Sequence, residues 1–257
     1  MIIDRRFLET RWWGPRGDTA PTLVLLHEGL GCVALWRDFP EPLVAATGCG
    51  VFAYSRFGYG GSDPVTLPRP MHYMHDEALD VLPRVLDAAE VRRAVLIGHS
   101  DGGSIAAINA GAVRDPRVVA VVLIAAHCFV EDLNIAAIRA TEASYRQGDL
   151  RVRLARYHRD VDVAFRGWSD AWLDPRFRNF DITGQVARIE VPVLALQGAA
   201  DPYGTEQQLR ILERIAKCPV QTRLIAGARH APHLEARQAT LDTIVPFVQR
   251  VLMEVTA

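Results

Sequence analysis

Six short apolar runs recur along this chain, and each gives way to a loop of glycine, proline or charged residues. They are TLVLLH (22–27), GVFAYS (50–55), RAVLIG (93–98), VVAVVLIAA (118–126), VPVLALQG (191–198) and VQTRLIAG (220–227). TLVLLH, a continuous apolar run, is consistent with a strand covered on both faces, VVAVVLIAA reads as another buried strand, and the other four read as further strands. Residues at helical spacing separate the runs, over Trp36–Ala46, Met71–Ala89, Ser104–Val113, Glu206–Ala216 and 237–254. Strands that alternate with helices in this way predict an α/β fold, a mostly parallel central sheet with helices on both faces. The first strands fall within residues 2–13, and PRGDTAP (15–21) is a turn by its Gly, Asp and Pro content. Proline should kink two of the helices, at Pro83 and Pro246.

The segment from His127 to about Gln185 breaks the alternation. It reads as helical throughout, with Leu150, Leu154, Tyr157, Val161, Phe165, Trp168 and Trp172 as one stripe. The expected organisation is a core of residues 1–126 and 186–257 with an inserted helical cap, 127–185. Such stripes mostly pack on a core. Some of the segment's aromatic residues are candidates to line an apolar pocket. Its arginines alternate with acidic residues, as on a solvated face.

At the third run the chain reads VLIGHSDGGSIAAINAG (95–111). Gly98-His99-Ser100-Asp101-Gly102 fits G-x-S-x-G directly after a strand and before a helix, the context a nucleophile elbow requires. Glycines flank the serine so that strand and helix can approach closely. A serine hydroxyl needs a base, and the base needs an orienting carboxylate. Asp201 follows VLALQG, and His230 follows TRLIAG. Both therefore lie at the carboxyl edge of the sheet with Ser100, where ligands bind in such folds. His233 competes as the base but follows Pro232, and a packing role suits it better. The amides of Asp101 and of Gly29, in the loop after TLVLLH, are the candidate oxyanion donors.

These stretches resemble the α/β-hydrolase superfamily from about residue 20 onward, most of all its small capped carboxylesterase-like members. LLHEGLG is similar to the oxyanion loop, YSRFGYGGSD to an Asp-Arg-x-Gly-x-Gly-x-Ser segment, IGHSDGG to the elbow, VPVLALQGAADPYG to the acid loop and ARHAPHLE to the histidine loop. The resemblance implies the α/β-hydrolase fold and a serine esterase with catalytic Ser100, Asp201 and His230, without cofactor or metal. A carbon–carbon bond hydrolase, lactonase, thioesterase or cofactor-free perhydrolase would share the set, and a non-catalytic receptor is the reading from another class. Three departures stand out. Glu28 occupies a usual glycine position and should point away or pair with a cation, Ser55 replaces the aspartate before Arg56, and Ala228-Arg229 replaces the glycine before His230.

Other chemistries find little support. The net charge is −1 without a basic run, which argues against nucleic-acid binding. Cys32, Cys49, Cys128 and Cys218 form neither a zinc pattern nor a disulfide framework and read as reduced thiols. His72 and His75 lack the carboxylates of a metal site. RFGYGG precedes a proline-rich loop rather than a helix, unlike a dinucleotide fingerprint. MIIDRRFLET lacks a signal peptide's apolar segment, and no run reaches the ~20 residues of a membrane span. The expected partner is a small-molecule substrate, and the expected location is cytoplasmic.

Overall fold

The computed structural model describes residues 1–16 and 21–256. The turn expected over residues 15–21 falls largely outside the described residues. A short ribbon of β1 (Ile2–Ile3) and β2 (Arg6–Phe7) precedes a seven-stranded sheet. Its strands are β3 (Thr10–Trp13), β4 (Thr22–Leu26), β5 (Val51–Tyr54), β6 (Ala94–His99), β7 (Val118–Ile124), β8 (Val193–Gly198) and β9 (Val220–Ile225), in the order β3-β5-β4-β6-β7-β8-β9. β3 pairs antiparallel with β5, and the other pairs are parallel.

The unbroken apolar runs have a simple cause. Along β4, Leu23 and Leu25 enter one core and Val24 and Leu26 the other. The first core packs on Leu241, Ile244, Phe247, Val248 and Val251 of the last helix, and the second on Leu82, Val85, Ile105 and Ile108. Each such buried side chain stabilises the fold by about 1.5–3 kcal/mol relative to exposure. β9, at the edge, keeps Gln221, Arg223 and Leu224 exposed.

Several expected helices are reshaped. Val33–Trp36 is a 3₁₀ turn, and the α-helix begins only at Pro40, whose missing N–H costs nothing in a first turn. The helix around Pro83 carries a wide π turn at Glu77–Val81 before Leu82–Ala88. This turn shifts the buried face, so that Ala78, Leu82 and Leu86 are inside while Leu79 is 47% exposed. The chain stays helical through Pro246, within Arg237–Thr256.

Residues between β7 and β8 form helices at Asp132–Gln147, Leu150–Leu154 and Val161–Leu173, a 3₁₀ turn at Pro175–Asn179 and a short helix at Thr183–Val186. The segment is not helical throughout. A non-helical stretch around Tyr157–Asp160 breaks the expected stripe, and Tyr157 is 37% exposed. Phe129 also forms a bridge with Asp181.

The strand-to-helix joint leaves no room for side chains. A Cβ on Gly102 would collide with the backbone carbonyl of Leu26 in β4. Gly184, exposed in a short helix, faces open space. We therefore expect Gly102→Ala to cost about 3 kcal/mol in urea unfolding, whereas Gly184→Ala should be neutral or stabilising by about 0.5 kcal/mol. Equal effects would contradict this account of the joint.

Candidate active site

Ser100 sits at the end of β6 with φ 52° and ψ −119°, a conformation that costs a non-glycine residue about 1–3 kcal/mol. The surroundings enforce it. The Ser100 N–H donates to Ile124 O at 2.8 Å, carrying the ladder one residue past the strand. The next residues enter the helix Asp101–Ile108, whose first i→i−4 bond runs from Ser104 N to Ser100 O. The amides of Asp101, Gly102 and Gly103 therefore have no intrahelical partner. Ser104 Oγ donates to His127 O at 2.8 Å, tying the first helical turn to the loop after β7.

Asp201 and His230 lie in the loops after β8 and β9. Ala200 N donates to Ala228 O, which holds the two loops together. His230 Nδ1 is 2.9 Å from both carboxylate oxygens of Asp201. A carboxylate only accepts, so Nδ1 carries the proton and the Nε2 lone pair is left as a base. Asp201 also accepts from Gln197 Nε2 and Tyr203 N. Burial alone would push its carboxyl up, but the bond and charge of His230, the Tyr203 amide and His127 together outweigh it and hold Asp201 below its ordinary range.

Ser100 and His230 line one cavity of about 100 Å³ with Glu28, Gly29, Leu30, His127, Asn134, Ile138, Trp168, Trp172 and Tyr203. It is small beside the ~300–1,000 Å³ of drug-sized pockets. Of the aromatic residues flagged in the helical segment, Trp168 and Trp172 reach it. Its arginines do not line the cavity. Arg146, Arg151, Arg153 and Arg159 pair instead with nearby carboxylates. Trp168 packs on Gly29, where any Cβ would collide with the indole ring.

Arg56 organises the loop that carries Gly29. Its guanidinium donates to His27 O and, at 3.0 Å, to Glu28 O, and lies 3.9 Å from Asp101. Asp101 is fully buried and also accepts from Tyr73 OH at 2.5 Å and Trp172 Nε1 at 3.2 Å. Burial raises its carboxyl above the ordinary range despite Arg56. Ser55, in the usual aspartate position, instead donates to Glu9 and accepts from Val33 N. Glu28 does not point away. It lines the cavity, with its carboxylate 3.4 Å from His99 Nδ1.

His233 is buried against Trp36, Phe39 and His99, in a packing role. His72 is bonded to Asp76, and His75 lies beside Gln185. Among the described residues no group of three His, Cys, Asp or Glu could hold a metal ion, and no helix is long and apolar enough to cross a membrane. The four cysteines are free. Sequence reasoning missed His127, Asn134 and Tyr203 as cavity walls. The only available signal was position, since His127 directly follows the apolar run VVAVVLIAA and Tyr203 lies two residues past Asp201.

A mostly parallel sheet with a serine at a positive-φ strand–helix joint defines an α/β hydrolase architecture. The profile of the alpha/beta hydrolase family matches residues 23–243, and the chain belongs to that family. It is 29% identical over 223 residues to a non-heme chloroperoxidase of Streptomyces lividans, covering 74% of this chain and 78% of that protein. Among solved structures, a hydrolase from Pseudomonas aeruginosa PA01 has a TM-score of 0.71 at 23% identity, over 95% of this chain and 94% of the other. The enol-lactonase from Burkholderia xenovorans LB400 has a TM-score of 0.70 at 22% identity, over 96% and 98%. Likeness at this identity shows the fold.

Burial holds several histidines neutral. It pushes His127 down to about 3 and lowers His27, His158 and His233. Two of these rings accept backbone N–H groups, His27 from Arg56 and His158 from Gly60. The unfolded chain binds these protons near pH 6.5 and the native protein does not. Stability is therefore full above that pH and falls below it, by about 1.4 kcal/mol per pH unit for each histidine. Urea midpoints should drop steeply between about pH 7.5 and about pH 5.5, and a flat profile would contradict these assignments.

Proposed function

We propose that this protein is a serine hydrolase that cleaves small carboxylic esters through an acyl-enzyme on Ser100. The observation that carries the proposal is the two-point bond of His230 Nδ1 to Asp201, with His230 lining the same cavity as Ser100. Ser100 Oγ attacks the ester carbonyl and His230 Nε2 takes its proton. The oxyanion is held by the amides of Gly29 and Asp101. The imidazolium then protonates the departing alcohol. Water, deprotonated by the same ring, releases the acid and restores the hydroxyl.

In this reading residues 127–185 act as a cap. Trp168 and Trp172 supply its apolar wall over Ser100, and the cavity volume suits an acyl group of a few heavy atoms. One second reading draws on the relative named a chloroperoxidase, in which hydrogen peroxide rather than water takes the acyl group and yields a peracid. The two differ only in the acceptor.

A fluorophosphonate probe should label the wild type but not Ser100→Ala. Hydrolysis of p-nitrophenyl acetate should fall at least about a thousandfold in Ser100→Ala and in His230→Ala. An unlabelled wild type, or a Ser100→Ala protein with full activity, would overturn the proposal. Trp168→Ala should move the best acyl chain from acetyl toward longer esters, by about tenfold in relative kcat/KM. An unchanged preference would remove Trp168 from the acyl wall.

A further inference from the structure

One buried nitrogen beside the site has no role in the mechanism above. His99, the residue before Ser100, is 2% exposed. Its Nε2 is 2.8 Å from the backbone carbonyl of His230. A carbonyl only accepts, so Nε2 must carry the proton. Nδ1, on the other side of the ring, makes no hydrogen bond but lies 3.4 Å from Glu28 Oε2. Orphaned buried nitrogens are rare and call for an account. Here the neighbour is a carboxylate, and a proton on Nδ1 turns two opposed acceptors into a charge-assisted contact.

We propose that Glu28 and His99 form a second carboxylate–imidazole pair that holds His230 by its backbone carbonyl and so positions the base. The pair spans three loops, because Glu28 adjoins Gly29, His99 adjoins Ser100, and the carbonyl belongs to His230. Both residues act as positioning residues, and their effect on turnover rests on the serine-hydrolase reading. Other features support the pair. The Glu28 carboxylate lies over Gly31, in the space a Cβ there would take. Burial would raise the Glu28 carboxyl, yet the adjacent His99 ring holds it well below its usual range. The rings of His99 and His230 are 5.0 Å apart, close enough for the pair's charge balance to reach the base.

The groups around both rings are few. His99 faces Glu28, His230 and His233. His230 faces Asp201, Tyr203, His127 and His99. Glu28 is therefore the carboxylate that His99 faces, as Asp201 is the one that His230 faces.

The test is the pH dependence of p-nitrophenyl acetate hydrolysis in the wild type, His99→Gln and the Glu28→Gln/His99→Gln double variant. Removing the ring leaves the Glu28 anion uncompensated, which favours the protonated, inactive imidazole at His230. The acid limb of kcat/KM should then move up by about half a pH unit. kcat should fall about tenfold, with KM changed by no more than about twofold. The double variant removes both charges and should return the limb to its wild-type position. A lower kcat with an unmoved limb in His99→Gln would mean packing alone and would overturn the pair.

A measurement independent of turnover accompanies it. In NMR spectra of the wild type, the His99 ring Nε2–H should be protected from exchange, and Glu28→Gln should displace that resonance. An unprotected proton, or one unchanged by Glu28→Gln, would overturn the pair even if His99→Gln does not fold. A wild type that neither hydrolyses the ester nor takes up the fluorophosphonate would sink the serine-hydrolase reading instead, and the resonance would still decide the pair.

Discussion

The positive φ of Ser100 is the constraint on which the site depends. A serine held there is strained, and it stays because three things meet at the joint. β6 must end where β4 and β7 also end, the helix must start at once, and Gly98, Gly102 and Gly103 must let backbone touch backbone. The Ser100 N–H is spent on Ile124 O in the neighbouring strand, so the residue cannot relax without breaking the ladder. Sheet packing thus sets a hydroxyl above the carboxyl edge. The side chains around it differ in kind, since they come from loops and from the helical segment, which the sheet only brings near.

Arg56 is the clearest link between those loops. It is buried and donates to two consecutive carbonyls, of His27 and Glu28, just before Gly29. The partner for its charge is Asp101, at the start of the elbow helix. Breaking such a buried pair from one side costs about 3–5 kcal/mol, because the remaining charge is left uncompensated. Asp101 in turn takes the indole N–H of Trp172 from the helical segment. One carboxylate therefore fixes an arginine below the cavity and a tryptophan on its wall. The aspartate that usually precedes Arg56 is not needed, since Asp101 takes up the charge from the start of the elbow helix.

How much of this is written locally depends on what each feature requires. The β4, β6, β7 and β8 runs are legible because burial on both faces removes polar residues from the strand itself. The positions of Ser100 and Asp201 are legible because each follows such a run, and that of His230 because it follows the edge strand β9, so that chain order maps onto one edge. Leu79 is not, because a π turn rotates the helix between Ala78 and Leu82, and side-chain spacing carries no mark of an extra residue in a turn. Tyr157 fits the stripe by spacing alone, but the helix stops before it. Glu28 and His99 are 71 residues apart, and nothing in either neighbourhood announces the other. Asn134 reaches the cavity because its side chain closes a capping box with Glu131 at the start of its helix, a local pattern with a distant consequence.

The histidines suggest why so much polar chemistry can crowd a small cavity. His27, His127, His158 and His233 are buried and kept neutral, so they add dipoles and hydrogen-bonding atoms without adding charge. His158 is instructive. It accepts from Gly60 N and donates to Leu30 O, each at 3.0 Å, and so pins the break between two helices of the 127–185 segment to the loop beside Gly29. A lysine could not accept the first bond and a glutamate could not donate the second, whereas one neutral imidazole does both in a fixed plane. Rigid rings of this kind tie the helical segment to the loop beside Gly29 without adding a net charge there. The carboxylates near the reacting atoms each have a partner, Asp201 bonded to His230, Glu28 beside His99 and Asp101 against Arg56.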